Sequence, residues 1–76
     1  MKISSNKLKD IIDFAYQELE SLYGKDEIRS MIYSIIEHFT SYNLMKILTY
    51  KDELKVSESE LLKINFAIKD LKKERP

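Results

Sequence analysis

The sequence predicts an all-α fold, a small bundle of four to five helices with short connections and antiparallel neighbours. Apolar residues recur at spacings of three and four over most of the 76-residue chain, which is the period of a helical face. No segment alternates in the manner of a strand, and turn dipeptides such as Asn-Gly do not occur. The chain has one glycine and one proline, so few of its residues would interrupt a helix. A chain this short forms one domain, which we assign to residues 1–76.

The first helix should begin after three polar residues, each able to cap a first turn through a side-chain oxygen: Ser4, Ser5 and Asn6. Gly24 stands where a residue in the left-handed conformation would end this helix. The predicted apolar face consists of Leu8, Ile11, Ile12, Ala15, Leu19 and Leu22.

The second helix should begin near Asp26 and Glu27, whose carboxylates suit the positive end of a helix dipole. Its predicted apolar face consists of Ile28, Met31, Ile32, Ile35, Ile36 and Phe39. Asn43 is a suitable cap for a third helix of about two turns. The apolar residues of that short helix are Leu44, Ile47 and Leu48.

The fourth helix follows a polar loop over residues 50–56 and carries the clearest start signal in the chain. Ser57 and Glu60 have the spacing of a capping box, and Val56 and Leu61 have that of a hydrophobic staple. The main apolar stripe consists of Leu61, Ile64, Ile68 and Leu71. A second stripe, Leu62 and Phe66, predicts that this helix contacts neighbours on two sides.

Composition excludes several classes of function. Lys+Arg and Asp+Glu number 13 each, and this balance disfavours direct binding of nucleic acid. With no cysteine and one histidine the chain cannot build a zinc site. No apolar run approaches the roughly 20 residues of a membrane span. The first residues lack the apolar core of a signal peptide, so we expect a cytoplasmic protein. We also expect a monomer without a membrane partner.

His38 is the only side chain that ordinarily titrates near neutral pH, and Ser34 lies four residues before it on the same helical side. A nucleophilic site would also need an orienting acid, an oxyanion hole and a pocket. Because no glycine-rich elbow is present, we expect His38 to flank the core of the second helix.

Two carboxylate pairs, Asp10 with Asp13 and Glu58 with Glu60, lie near predicted helix starts. Paired acids can transfer protons when a cleft separates their pKa values. At helix starts they more often stabilise the helix dipole. We therefore assign no catalytic, cofactor-binding or metal-binding residue to the chain.

Basic residues cluster at the end of the fourth helix, where Lys69, Lys72, Lys73 and Arg75 are interleaved with acids. They either complement the helix dipole in solvent or bind phosphate or an acidic partner. Lys72, Lys73 and Arg75 are the candidate partner-binding residues.

Phe14 and Tyr33 fall beside the main stripes of the first two helices. Each can pack against a neighbouring helix or remain exposed as an interface aromatic. Packing is the more common outcome in a small bundle.

The order of these features resembles the amino-terminal domain of the release-factor glutamine methyltransferases, the HemK/PrmC family. In that family the second helix opens with acid-x-Arg and closes with an acid and histidine. Asp26 or Glu27, Arg29, Glu37 and His38 match this pattern. The fourth helix of the family ends in basic residues and a proline, as this chain does.

The resemblance implies that the chain is one domain of a larger enzyme of translation termination. Its second, Rossmann-like domain would bind S-adenosylmethionine and carry an Asn-Pro-Pro-Tyr motif. That domain would transfer a methyl group to the glutamine of the Gly-Gly-Gln motif in peptide chain release factors. The helical domain would help to bind the release factor, so its implied partners are the release factor and its own catalytic domain. Neither the cofactor loop nor Asn-Pro-Pro-Tyr lies within these 76 residues.

Two other functions remain open from the sequence. The chain can be a free-standing helical module that binds a protein and has no enzyme attached. It can also be a small DNA-binding protein, but zero net charge and the lack of a helix face rich in Arg, Asn or Gln disfavour this.

Overall fold

A computed structural model describes residues 6–73, which form four helices and thereby confirm the all-α bundle. The first, second and fourth helices pack against one another, and the third packs on the second. Within residues 6–73, no helix is both long and apolar enough to cross a membrane. The helices are α1 (Leu8–Leu19), α2 (Lys25–Phe39), α3 (Leu44–Tyr50) and α4 (Glu58–Lys73).

The core lies among α1, α2 and α4, and α3 adds one fully buried side chain. Full burial of such an aliphatic side chain contributes about 1.5–3 kcal/mol, and this offsets the conformational entropy lost on folding. The main apolar stripes expected for α1, α2 and α4 are confirmed, except that Leu22 lies beyond the end of α1 and outside the core. The large side chains that are fully buried are Leu8, Ile11, Leu19, Ile28, Ile32, Ile36, Ile47, Ile64 and Ile68.

Phe14 and Tyr33 belong to this core, with exposed fractions of 8% and 9%. Each lies at the edge of the apolar stripe of its helix. In a bundle of three mutually packed helices, the neighbouring helices also cover such edge positions. The packing interpretation of both aromatic residues is confirmed.

Two predicted helix caps are present. Asn43 Oδ1 accepts a hydrogen bond from the backbone N–H of Lys46 at 2.8 Å. Ser57 Oγ accepts from the N–H of Glu60 at 3.1 Å, and Glu60 Oε1 accepts from the N–H of Ser57 at 2.8 Å. These bonds satisfy N–H groups that have no partner inside the helix.

The role predicted for Gly24 is wrong. Its φ is −69° and its ψ is 158°, an extended conformation, and it precedes α2 as the N-cap instead of ending α1. The chain leaves α1 through a further turn in which the Tyr23 N–H donates to the Leu19 carbonyl at 3.0 Å. Glu27 Oε1 then accepts from the Gly24 N–H at 3.2 Å. The backbone leaves α1 in a right-handed conformation and a side chain caps the start of α2, so neither helix end needs a glycine in the left-handed conformation.

The segment before α1 pairs with the segment before α4. The N–H of Val56 donates to the Asn6 carbonyl at 2.9 Å, and the N–H of Leu8 donates to the Leu54 carbonyl at 3.0 Å. Lys7 and Lys55 form the antiparallel bridge between them. These bonds join parts of the chain that are about 50 residues apart in sequence.

This pairing explains why the predicted cap of α1 is absent at Asn6. The Asn6 amide donates to the Val56 carbonyl at 3.2 Å. Lys7 takes the N-cap position without a side-chain hydrogen bond to the helix. Ser4 and Ser5, the other predicted caps, lie outside the described residues.

The second stripe of α4 is not packed as predicted. Leu62 and Phe66 are 43% and 62% exposed. α4 contacts α1 and α2 through its main stripe, and no element within residues 6–73 covers its opposite side. The prediction that both stripes are covered is wrong for the part of the chain that the structure describes.

Candidate protein-interaction surfaces

His38 and Ser34 do not form a catalytic pair. Both side chains are exposed on α2, and no hydrogen bond joins them. The His38 ring instead meets the Phe39 ring edge to face, with centroids 4.8 Å apart and planes at 77°. Among residues 6–73, no group of three or more histidine or acidic side chains is placed to hold a metal ion.

The carboxylate pairs lie at helix starts, as their positions in the sequence indicate. Glu58 and Glu60 are in the first turn of α4, where Glu60 closes the capping box. Asp10 is in the first turn of α1. These positions favour a dipole-stabilising role over proton transfer.

Two acids of the family-like pattern on α2 support the fold at both ends of that helix. Glu27 caps the start of α2 through the Gly24 N–H. Glu37 Oε2 accepts from the N–H of Leu44 at 2.9 Å and so supports the start of α3. The pattern therefore has a structural explanation within this chain.

A groove of about 400 Å³ lies between α2 and α3. Leu44 and Leu48 form its apolar wall, and both are roughly half exposed. Ser30 and Ser34 line the opposite side with hydroxyl groups. A groove with one apolar and one hydroxyl-bearing wall is suited to hold part of a peptide chain.

One end of this groove carries aromatic and charged groups, and Tyr16 lines a neighbouring cavity that shares Asp26 and Arg29 with it. The Arg29 guanidinium lies 5.9 Å from the centroid of the Tyr33 ring, which is within cation–π range. Burial raises the pKa of Tyr16 above its ordinary 10.0, and Tyr33 and Asp26 add to the rise while Arg29 opposes it.

The three residues predicted to bind a partner at the end of α4 have three different outcomes. Lys72 Nζ lies 3.1 Å from Glu18 Oε1 and joins α4 to α1. Lys73 is exposed, and within residues 6–73 no carboxylate pairs with it. Arg75 lies outside the described residues. Lys69, which belongs to the same basic cluster, is also exposed and unpaired over the same range.

Sequence reasoning missed the surface that these lysines form with the uncovered stripe of α4. Leu62, Phe66, Lys69 and Lys73 follow one another at spacings of four, three and four, so they share one face of the helix. We call these four residues the outer stripe. The change from apolar to basic residues along one helical face was a usable signal, because a core stripe would stay apolar.

Comparison with protein-family models, with curated proteins and with solved structures found no significant match to this chain.

Proposed function

We propose that this chain is the amino-terminal helical domain of an S-adenosylmethionine-dependent methyltransferase that modifies the Gly-Gly-Gln glutamine of peptide chain release factors. In this proposal the domain helps to bind the release factor. The resemblance of residues 26–39 to the family pattern supports the assignment. The observation that carries it is that both parts of this pattern, Glu27 with Arg29 and Glu37 with His38, lie within the single helix α2, near its two ends.

A binding role fits the chemistry that the described surface offers. Large apolar side chains are exposed on both α3 and α4, including Met45 and Phe66. Exposed apolar and aromatic side chains are typical of protein interfaces. Among residues 6–73, the exposed His38 ring contacts Phe39, and no carboxylate orients it as in a catalytic triad.

The mechanism would divide work between two domains. The Rossmann-like domain would bind S-adenosylmethionine, which supplies the methyl group. The helical domain would hold the release factor at a distance from the reacting glutamine. Binding energy from such a remote contact can be used to position the reacting atoms, so it affects kcat as well as KM.

A free-standing protein-interaction module is the second candidate. The same exposed side chains on α3 and α4 favour it, because they would serve a partner whether or not an enzyme is attached. The two candidates differ in what the gene encodes after Pro76.

The first experiment is therefore to read the gene beyond that codon. The methyltransferase proposal expects a continuing frame with a glycine-rich cofactor loop and an Asn-Pro-Pro-Tyr motif. A stop codon directly after Pro76 would contradict this proposal and leave the free-standing module.

A calorimetric titration tests whether the cofactor binds to the second domain and not to the helical domain. The 76-residue chain should give no heat of binding with S-adenosylmethionine, because it has no strand to carry a glycine-rich turn toward the cofactor in residues 6–73. The protein lacking residues 1–76 should bind the cofactor as the full protein does. Saturable binding by the 76-residue chain would contradict the proposed roles.

A further inference from the structure

The outer stripe of α4 combines exposed apolar side chains with unpaired positive charge. Leu62 and Phe66 are 43% and 62% exposed, and Lys69 and Lys73 are exposed beyond them on the same face. Within residues 6–73 the ion pair of the structure joins Lys72 to Glu18, which leaves both stripe lysines without a carboxylate.

The stripe has a direction along the helix axis. Its apolar half comes first, and its basic half occupies the last two turns of α4. From Leu62 to Lys73 it extends for about 16 Å, at 1.5 Å per residue. This length matches about three turns of a second helix laid alongside.

We propose that the outer stripe binds an acidic amphipathic helix of a partner protein. Two apolar side chains of that helix would contact Leu62 and Phe66. Carboxylates one to two turns further along would face Lys69 and Lys73. Charge complementarity selects an acidic partner, because neither ammonium group is paired with a carboxylate of residues 6–73 and both lie beside the apolar contact.

A protein segment fits this surface better than a phosphate backbone or a lipid surface. Nucleic-acid binding depends on many phosphate contacts, whereas the stripe offers two cations and the chain has zero net charge. A membrane-surface helix carries its Lys and Arg on the face opposite its apolar residues, whereas here Lys69 and Lys73 continue the same face as Leu62 and Phe66. The inference holds for either candidate function above, since it concerns the surface and not an attached enzyme.

The test is a nuclear magnetic resonance titration of the ¹⁵N-labelled 76-residue chain with a designed peptide. The probe is a capped, alanine-based helix with leucines along one face, followed on the same face by glutamates. We expect saturable shifts centred on the outer stripe at peptide concentrations up to about 1 mM. A matched peptide with lysines in place of the glutamates should bind at least about fivefold more weakly, because its charges repel Lys69 and Lys73.

Salt and charge reversal test the electrostatic part. Raising NaCl from about 0.1 M to 1 M shortens the Debye length from about 10 Å to 3 Å, and should weaken binding several-fold. The double variant Lys69→Glu/Lys73→Glu should weaken binding about tenfold. The control Lys9→Glu/Lys25→Glu makes the same change in net charge at exposed positions on α1 and α2, and should leave affinity unchanged.

Phe66→Ser tests the apolar part, and the exposure of Phe66 predicts that this variant remains folded. It should also lose binding. Shifts centred on the α2–α3 groove, equal binding of both peptides, or no saturable binding would each overturn the proposal. So would tighter binding of the stripe to anionic lipid vesicles than to the acidic peptide, or self-association of the chain through the stripe.

Discussion

Glu37 on α2 accepts a hydrogen bond from the backbone N–H of Leu44, the first residue of α3, at 2.9 Å. Asn43 satisfies a second N–H of the same helix start, that of Lys46. α3 has seven residues, which is too short to be stable alone. Its position therefore depends on these two bonds and on the burial of Ile47. Because α3 forms one wall of the groove, Glu37 also maintains the shape of that surface.

Replacing Glu37 by alanine should loosen α3. Loss of the bond to Leu44 should lower the free energy of unfolding by about 0.5–2 kcal/mol, as for other helix-start bonds. Amide exchange at Ile47 and Leu48 should become faster, whereas exchange in α1 should change little. Glu20→Ala is the control, since it removes an exposed acid that makes no side-chain hydrogen bond in the described chain. Equal exchange rates in α3 for both variants would contradict this role of Glu37.

Two adjacent isoleucines on α2 should differ in their contribution to stability. Ile36 is fully buried, whereas Ile35 is only partly buried at the edge of the core. Ile36→Ala should lower the free energy of unfolding by about 2–5 kcal/mol through lost burial and the cavity left behind. Ile35→Ala should cost less, and urea denaturation measures both. Equal losses would mean that the core is centred differently from the structure described above.

Asn65 is a buried polar residue of α4, and its Oδ1 has no hydrogen-bond partner among residues 6–73. A buried acceptor without a partner costs about 1–3 kcal/mol. Asn65→Leu should therefore raise the free energy of unfolding, while Asn43→Ala should lower it by removing a cap. Thermal unfolding of the two variants gives the comparison. A destabilised Asn65→Leu variant would show that the amide has a role in the folded state that the structure does not display.

Tyr16 should make the protein less stable at high pH. Burial, with a contribution from Tyr33, raises its pKa above the ordinary 10.0. Because the folded-state pKa exceeds the unfolded one, this contribution is complete below about pH 10 and is lost as pH rises through the folded pKa. Chemical denaturation from about pH 9 to 12 should show a smaller loss of stability for Tyr16→Phe than for the parent. Tyr50→Phe, at a half-exposed position, should follow the parent curve, and identical curves for both variants would contradict the prediction.

Local signals in the sequence were sufficient for some parts of the fold. The caps at Asn43 and Ser57 act on N–H groups three residues ahead, so the residues that form them are adjacent in the sequence. Asn6 has the same chemistry but binds Val56, 50 residues away, and no local pattern contains that partner. Gly24 was misassigned because glycine is acceptable both after one helix and before the next.

The candidate surfaces were harder to predict, because a helical period shows which residues share a face but not what covers it. Leu62 and Phe66 have the spacing of a packed stripe, and only the arrangement of α1 and α2 shows that nothing described reaches them. Likewise, Lys72 and Lys73 are equivalent in the sequence pattern, and only the folded chain brings Glu18 beside Lys72.

We propose above that residues 1–76 recognise the release factor for an attached methyltransferase. The most direct measurement is the ratio of the methylation rate of an intact release factor to that of a short Gly-Gly-Gln peptide, with and without residues 1–76. The peptide is too small to reach the helical domain, so its rate should be low and nearly equal in both forms. We expect deletion of residues 1–76 to lower the ratio strongly, because the remote binding energy that positions the glutamine is lost. An unchanged ratio would contradict the claim and leave the domain with only a structural role.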